Sequence, residues 1–219
     1  MALPTYLELV NEVLVRMREP EVGSVNENAL SKVIGKYIND GKRQVEDAYN
    51  WNALSYTIDI ITSPAAFNYI LAGSGSRFKI LEVYNRTTRE EMYPKTTHQM
   101  TRLYQQEDTP TTGSPRYFNF NGIDANGDTQ VDLFPIPDDL YQLLFNVYLP
   151  QDALKNDTDK MIVPAEPVVA WAYARALVER GEDGGLPSSE AYALYKQVLA
   201  DYIAIEASRY FEEETWEAT

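Results

Sequence analysis

The segment whose residue types most suggest chemistry is Asp124-Ala-Asn-Gly-Asp128, where oxygen-bearing side chains recur at alternate positions. An EF-hand loop begins with this spacing around a calcium ion. Such a loop also needs glycine at its sixth position and a bidentate glutamate at its twelfth, but Thr129 and Pro135 stand there. Asn-Gly between two alternating strands is a strong signal for a hairpin. We therefore predict a turn and no metal site.

A second candidate is the glycine-rich segment Gly73-Ser-Gly-Ser-Arg77, which superficially resembles a phosphate-binding loop. It lacks the Lys-Ser/Thr pair of a P-loop and the helix that follows a dinucleotide-binding turn. The residues after it alternate like a strand, so a hairpin turn is again the favoured interpretation.

Catalytic side chains are scarce. The chain has no cysteine and one histidine, His98, which excludes disulfides, Cys-ligated zinc, iron–sulfur clusters and thiol nucleophiles. No Ser-His-Asp or Cys-His signature surrounds His98, so we expect a surface or capping residue. Adjacent carboxylates do not define the opposed geometry of a glycosidase, and we expect solvated faces at three such runs, Glu90-Glu91, Asp138-Asp139 and Glu212-Glu213-Glu214. We predict no catalytic residue, no cofactor and no enzymatic activity.

The charge balance restricts the partners. The 33 acidic and 19 basic side chains give a net charge of −14, which argues against binding to nucleic acid or to an anionic membrane. The longest apolar stretch, 168–178, is shorter than the roughly 20 residues of a membrane span. The first residues lack the basic region and apolar run of a signal peptide. Half of the net charge lies in 182–219, which predicts an acidic assembly surface.

Residues 1–53 are predicted to form two helices. Thr5 followed by Glu8 is a capping-box pattern, and apolar residues at helical spacing follow it until Pro20 and Gly23, where we expect the helix to end. A second helix begins near Asn26 or Asn28. Its predicted buried face is interrupted by Gly41 and consists of Leu30, Val33, Ile34, Tyr37, Ile38 and Val45.

Residues 54–150 change to the two-residue period of strands. The runs Phe67–Leu71 and Phe78–Tyr84, separated by Gly73-Ser-Gly75, predict one hairpin. The runs 117–120 and 131–134 flank the Asn-Gly turn and predict another, and 143–148 supplies a further strand. A short helix is expected at 98–104. The zone is predicted to be an antiparallel β domain of at least six strands.

Residues 151–167 are predicted to be a linker, and 168–219 to hold two further helices and an acidic tail. The first of these helices ends at a capping glycine within 179–185, and the second runs over about 188–210, with one face formed by Tyr195, Val198, Leu199, Tyr202 and Ile203. The predicted helices thus come from the two ends of the chain and the predicted strands from its centre. The predicted fold class is α+β, a helical bundle with an inserted antiparallel β domain.

The chain has 16 tyrosines, and most aromatic residues fall on predicted core positions. Tyr210, Phe211 and Trp216 are different, because they lie beyond the last helical face in an acidic segment. Aromatic side chains in such a place are typical anchors for a partner's pocket. We predict that these three residues contact a partner; the alternative is that they dock back onto the parent bundle.

Several segments together resemble the head-to-tail adaptor proteins of tailed bacteriophages, the group that includes tail tubular protein A of short-tailed phages. Leu9-Val-Asn-Glu-Val-Leu-Val-Arg-Met-Arg-Glu-Pro20 resembles the first helix and Glu-Pro turn of that group. Three central segments are similar to its strand, Pro-x-Pro and strand pattern: 115–122, 133–138 and 145–148. Ile162-Val-Pro164 before an apolar helix, followed by a long final helix, completes the order.

The resemblance implies a structural virion protein made in the host cytoplasm and located at the portal vertex. Such adaptors form rings, usually of twelve copies, that join the portal to the tail or nozzle and continue the channel through which DNA is ejected without specific binding. The implied partners are further copies of the chain, the portal protein and a tail nozzle or tail tube protein, with no membrane. An alternative from the aromatic-rich strands is another tail or baseplate protein, or a glycan-binding module of the virion.

Overall fold

The computed structural model describes residues 3–105, 111–182 and 186–209, with the side chains of 181–188 outside that description. In chain order, the helices are α1 (Tyr6–Arg16), α2 (Ala29–Ala48), α3 (Thr97–Gln105), α4 (Ala165–Leu177) and α5 (Leu186–Ala207). The strands are β1 (Ser55–Ile61), β2 (Asn68–Ile70), β3 (Lys79–Asn85), β4 (Glu90–Glu91), β5 (Tyr93–Pro94), β6 (Tyr117–Ile123), β7 (Thr129–Phe134) and β8 (Gln142–Tyr148). The mixture of helices and strands confirms the α+β class.

The chain divides into two compact units. The helical unit comprises Met1–Ala53 and Gln151–Thr219, and the β unit comprises Leu54–Pro150. Helices α1, α2, α4 and α5 belong to the helical unit, whereas all eight described strands and α3 belong to the β unit.

The beginning of α1 follows the capping pattern of the sequence. The Thr5 hydroxyl accepts a hydrogen bond from the Glu8 amide at 3.3 Å, and the Glu8 carboxylate accepts one from the Thr5 amide at 2.7 Å. The predicted end is wrong, because α1 stops at Arg16 instead of at Pro20. Arg18 adopts a φ of 61°, and the Glu19 amide returns to the Leu14 carbonyl at 2.9 Å. This left-handed turn closes the helix without the glycine that normally marks it.

Helix α2 begins at one of the two predicted caps, Asn28, whose side chain accepts a hydrogen bond from the Ser31 amide at 2.8 Å. Gly41 has a packing role. A Cβ atom there would lie 3.1 Å from the Trp171 ring and 3.2 Å from the Val168 carbonyl, so α2 and α4 approach closely at this point. Of the predicted face, Ile34, Ile38 and Val45 are fully buried, whereas Leu30, Val33 and Tyr37 are half-buried.

The end of α4 differs from the prediction. The chain continues from Leu177 into a π-helix, Val178–Glu182, so Gly181 does not cap α4. The other two glycines of the predicted segment, Gly184 and Gly185, lie outside the described residues. On α5, Tyr195 is buried, whereas Val198, Leu199, Tyr202 and Ile203 are half-buried. The predicted apolar face therefore exists, but the helical unit covers it only in part.

The β unit contains two four-stranded sheets, with strand orders β1-β8-β3-β4 and β2-β7-β6-β5. Pairing is antiparallel except for a short parallel contact between β5 and β6. The inner faces of both sheets contribute to one core, where Phe118 of β6 meets Phe145 of β8 edge-on at 5.9 Å. The predicted hairpin across the Asn-Gly turn is confirmed as β6–β7, and the predicted short helix is confirmed as α3.

The other predicted hairpin is wrong. β2 pairs with β7 and β3 pairs with β8, so the two strands on either side of Gly73-Ser-Gly75 lie in different sheets. Alternation showed correctly that both segments are strands. It contains no information about pairing, because any antiparallel neighbour with an apolar inner face satisfies the same pattern.

Candidate functional site

The two loops with chemical motifs are bonded to each other. The Asp128 carboxylate accepts hydrogen bonds from the amides of Gly73 and Gly75, both at 3.0 Å. These two backbone bonds lower the pKa of Asp128 below its ordinary value. In addition, the Thr129 hydroxyl donates to the Gly75 carbonyl at 2.7 Å. Amides that could hold a phosphate thus already hold a carboxylate of the same chain. The segment is nevertheless not the predicted hairpin turn, because β2 and β3 lie in different sheets.

The Asp124 segment is likewise bonded within itself. Oδ1 of Asp124 accepts hydrogen bonds from the amides of Asn126 and Asp128, each at 2.8 Å. Gly127 has a φ of 89°, which a glycine adopts without strain. The segment therefore forms the predicted turn between β6 and β7. Among residues 3–105, 111–182 and 186–209, no three His, Cys, Asp or Glu side chains are grouped so that they could hold a metal ion.

The remaining catalytic candidates are separated and exposed. His98 is exposed in the first turn of α3, as predicted for a surface residue. The cap of that helix is Thr96, whose hydroxyl accepts a hydrogen bond from the Gln99 amide at 3.3 Å. The carboxylates at 90–91 and 138–139 are exposed, which confirms the predicted solvated faces, and the run at 212–214 lies outside the described residues.

A cleft of about 640 Å³ opens in the helical unit between α1, the segment 162–166 and the end of α5. Its apolar lining includes Leu3 and Ile205, which are 46% and 55% exposed. The Tyr202 hydroxyl donates to Glu166 at 3.0 Å, and burial together with this bond raises the pKa of Tyr202. The size lies within the range of binding pockets, and the exposed apolar side chains make the cleft a candidate contact surface.

Glu206 lines this cleft and is only 6% exposed. Its carboxylate accepts a hydrogen bond from the Asn52 amide at 2.8 Å and forms an ion pair with the guanidinium of Arg209 at 2.9 Å. The acidic assembly surface predicted for 182–219 therefore needs a correction at this residue. Glu190 and Asp201 are exposed, but Glu206 points inward because it satisfies the backbone where the chain leaves the helical unit.

A second buried carboxylate holds the point where the chain returns to the helical unit. Glu46 accepts a hydrogen bond from the Gln151 amide at 3.1 Å, and Lys42 donates to the Gln151 carbonyl at 2.5 Å. The ammonium of Lys42 and the carboxylate of Glu46 are 3.0 Å apart and almost fully buried. Buried charged side chains of the helical unit thus bond the backbone both where the chain leaves this unit, at Asn52, and where it returns, at Gln151.

Sequence reasoning missed these three charged residues. Lys42 and Glu46 have the i, i+4 spacing of ordinary surface pairs, and Glu206 belongs to an acidic run. The available signal was position, since Lys42 follows Gly41 and Glu46 follows Val45 on the buried face of α2. The predicted contact residues Tyr210, Phe211 and Trp216 lie outside the described residues. Within the described part of the chain, no helix is long and apolar enough to cross a membrane.

Fold and sites together define an α+β protein of two compact units, in which charged residues fix the backbone at the unit boundaries and a broad cleft exposes apolar side chains. The family model described as SU10 adaptor protein matches residues 4–215. The chain therefore belongs to the SU10 adaptor protein family. It is a phage structural adaptor protein, and its family implies a location in the virion and interaction with other virion components. No curated protein matches the chain significantly.

Proposed function

We propose that the protein is a head-to-tail adaptor that forms a ring between the portal of a tailed-phage capsid and the tail or nozzle. The observation that carries this proposal is the family match over residues 4–215, which spans both units. The resemblance to the group of tail tubular protein A supplies the ring, its usual twelve copies and the portal as partner. The protein is made in the host cytoplasm and is assembled into the virion.

In this proposal the helices of the two chain ends form a bundle that builds the ring wall, and the β unit is inserted into it. Neighbouring wedges of a closed ring meet through two different faces, a heterologous contact. The cleft beside α1 and α5 is a suitable lateral or portal-facing surface, because Leu3 and Ile205 expose apolar area there. The aromatic residues Tyr210, Phe211 and Trp216 come after the cleft-lining residue Arg209 in the sequence and contact a partner.

The negative charge supports a channel role. A net charge of −14 per copy, repeated around a ring, repels the DNA backbone and lets DNA pass during ejection without specific binding. We propose that the ring has no catalytic activity of its own. Zymography on cell-wall substrate should show no cleared band, and a reproducible band would overturn this part of the proposal.

The main test mixes the purified full-length protein with the portal protein of the same phage and images the product by electron microscopy. We expect rings on the portal with the copy number of the portal symmetry. A null mutant should package DNA but lose its tails. Persistent monomers without portal association, or tails that attach normally in the null mutant, would overturn the adaptor function.

A further inference from the structure

The first strand of the β unit is an open sheet edge. β1 is seven residues long, pairs with β8 in continuous register from Ser55 to Ile61, and has no strand on its other side among the described residues. The hydrogen bonds at the two ends of the β1–β8 pairing show which residues of β1 direct their N–H and C=O groups towards β8. Leu54 accepts a hydrogen bond from Leu149 at 2.8 Å, and Thr62 donates to Tyr141 at 2.9 Å, so the even-numbered positions face β8.

Because the bonding direction alternates along an antiparallel strand, the odd-numbered residues face away from β8. These are Ser55, Thr57, Asp59 and Ile61, and all four are exposed. Their N–H and C=O groups form a row of eight donors and acceptors, which is the template that an incoming strand needs.

The other three edges of the two sheets are unsuitable for such pairing. β4 has two residues, both glutamates; β5 has two residues, one of them Pro94; and β2 has three residues. Short strands, charges and proline are the usual means by which proteins prevent edge pairing. β1 has no proline, no lysine and no bulge, and it exposes Ile61 by 66%.

We propose that β1 binds an extended segment of a different virion protein, which adds a strand to the sheet β1-β8-β3-β4. This inference rests on the proposed ring. A second copy of the chain can offer β1 itself, but two β1 edges pair around a two-fold axis and close as a dimer, which does not continue around a ring. The remaining edges of a second copy are too short to match seven residues.

The chemistry of the edge also restricts the partner. Asp59 is the one charged residue of β1, so the incoming segment is neutral or basic opposite it. The segment is about seven residues long, has no proline at positions that must donate to β1, and places an apolar or β-branched side chain beside Ile61.

The test uses two substitutions at one residue of the full-length protein. Thr57→Pro removes an outward N–H that makes no bond to β8, so the sheet tolerates it. Thr57→Ala is the matched control, because both variants lose the hydroxyl that donates to Asn146 at 2.6 Å, but only alanine retains the N–H. Circular dichroism should show that both variants are folded.

The probe is an array of overlapping 15-residue peptides covering the virion proteins of the same phage, this chain included. Peptides that bind are then titrated in solution by fluorescence anisotropy. We expect neutral or basic peptides from another virion protein to bind the wild type and Thr57→Ala equally, and to bind Thr57→Pro at least about tenfold more weakly.

Three results would overturn the proposal: equal binding by the proline and alanine variants, binding only by peptides of this chain, or no peptide bound by the wild type. If Thr57→Pro does not fold, Asp59→Lys against Asp59→Asn replaces it, because lysine blocks an edge without changing the backbone. Portal association of the same variants is measured in parallel. A variant that loses peptide binding but still forms rings on the portal has a defect in β1 alone. A wild-type protein that forms no rings refutes the adaptor function, whatever the peptide result.

Discussion

Removing the charge of Lys42 should destabilise the helical unit severely. The ammonium is about 1% exposed and lies 3.0 Å from Glu46, whose other carboxylate oxygen, Oε2, is buried without a hydrogen-bond partner in the described structure. In Lys42→Met the carboxylate of Glu46 would be buried with only the Gln151 amide as a donor. Breaking a buried ion pair from one side costs about 3–5 kcal/mol of unfolding free energy.

The double variant Lys42→Met/Glu46→Leu separates the pair from its environment. Replacing both charges with apolar side chains of similar volume is often neutral or stabilising by about 1–4 kcal/mol, although the Gln151 amide and carbonyl then lose their partners. We therefore expect the double variant to be clearly more stable than Lys42→Met. The control is Arg16→Met, which breaks an exposed pair with Glu12 of similar length, 2.7 Å, and should cost no more than about 1 kcal/mol.

Urea denaturation monitored by tryptophan fluorescence is a suitable assay, because Trp51 and Trp171 belong to the helical unit and residues 54–150 contain no tryptophan. The stability difference is read from the midpoint at constant slope. Two results would refute the reasoning that the buried Lys42–Glu46 pair stabilises the backbone at Gln151. One is a loss of unfolding free energy below about 1 kcal/mol in Lys42→Met, and the other is a double variant as unstable as the single one.

Three further outcomes are expected. Truncation after Ala207 should leave a folded monomer without partner contact; a collapse of the melting temperature would show that the terminal aromatics belong to the core. Gly35→Ala should destabilise, although alanine normally favours a helix, because its Cβ would lie 2.5 Å from the Tyr6 hydroxyl and 2.8 Å from Val25; a raised melting temperature would contradict this. The pKa of Asp128 is lowered in the folded protein, so its contribution to stability is present above the ordinary value of 3.8 and is lost as the pH falls through the lower folded pKa; acid titrations followed by circular dichroism should show a smaller pH dependence in Asp128→Asn, and identical curves would exclude this role.

Local features were predictable where a few neighbouring residues determine them. The capping pair Thr5 and Glu8 and the Asn-Gly turn before β7 act within a few residues, so their sequence patterns contain the relevant interaction. The end of α1 was not predictable in this way. The left-handed turn at Arg18 uses a residue that rarely adopts this conformation, and the hydrogen bond from the Glu19 amide to the Leu14 carbonyl closes it.

The candidate site likewise contains features that neighbouring residues determine and features that depend on residues far away in the sequence. The sequence was sufficient to interpret Asp124–Asp128 as a turn, but the bonds from Gly73 and Gly75 to Asp128 join residues more than 50 positions apart. Glu206 appeared to belong to an acidic surface, and its inward direction depends on the Asn52 amide, 154 positions away. Interactions over such separations leave no local pattern.

By itself, the sequence determined the α+β class, the absence of cysteine chemistry, the strong negative charge and the order of segments that resembles phage adaptors. Only the tertiary structure decided which strands share a sheet, that β1 is a long edge without a further strand among the described residues, and that Lys42, Glu46 and Glu206 are buried. The physical reason is that period and composition report which face of an element is apolar. The identity of the neighbour, and the desolvation of a charge beside it, depend on contacts between distant parts of the chain.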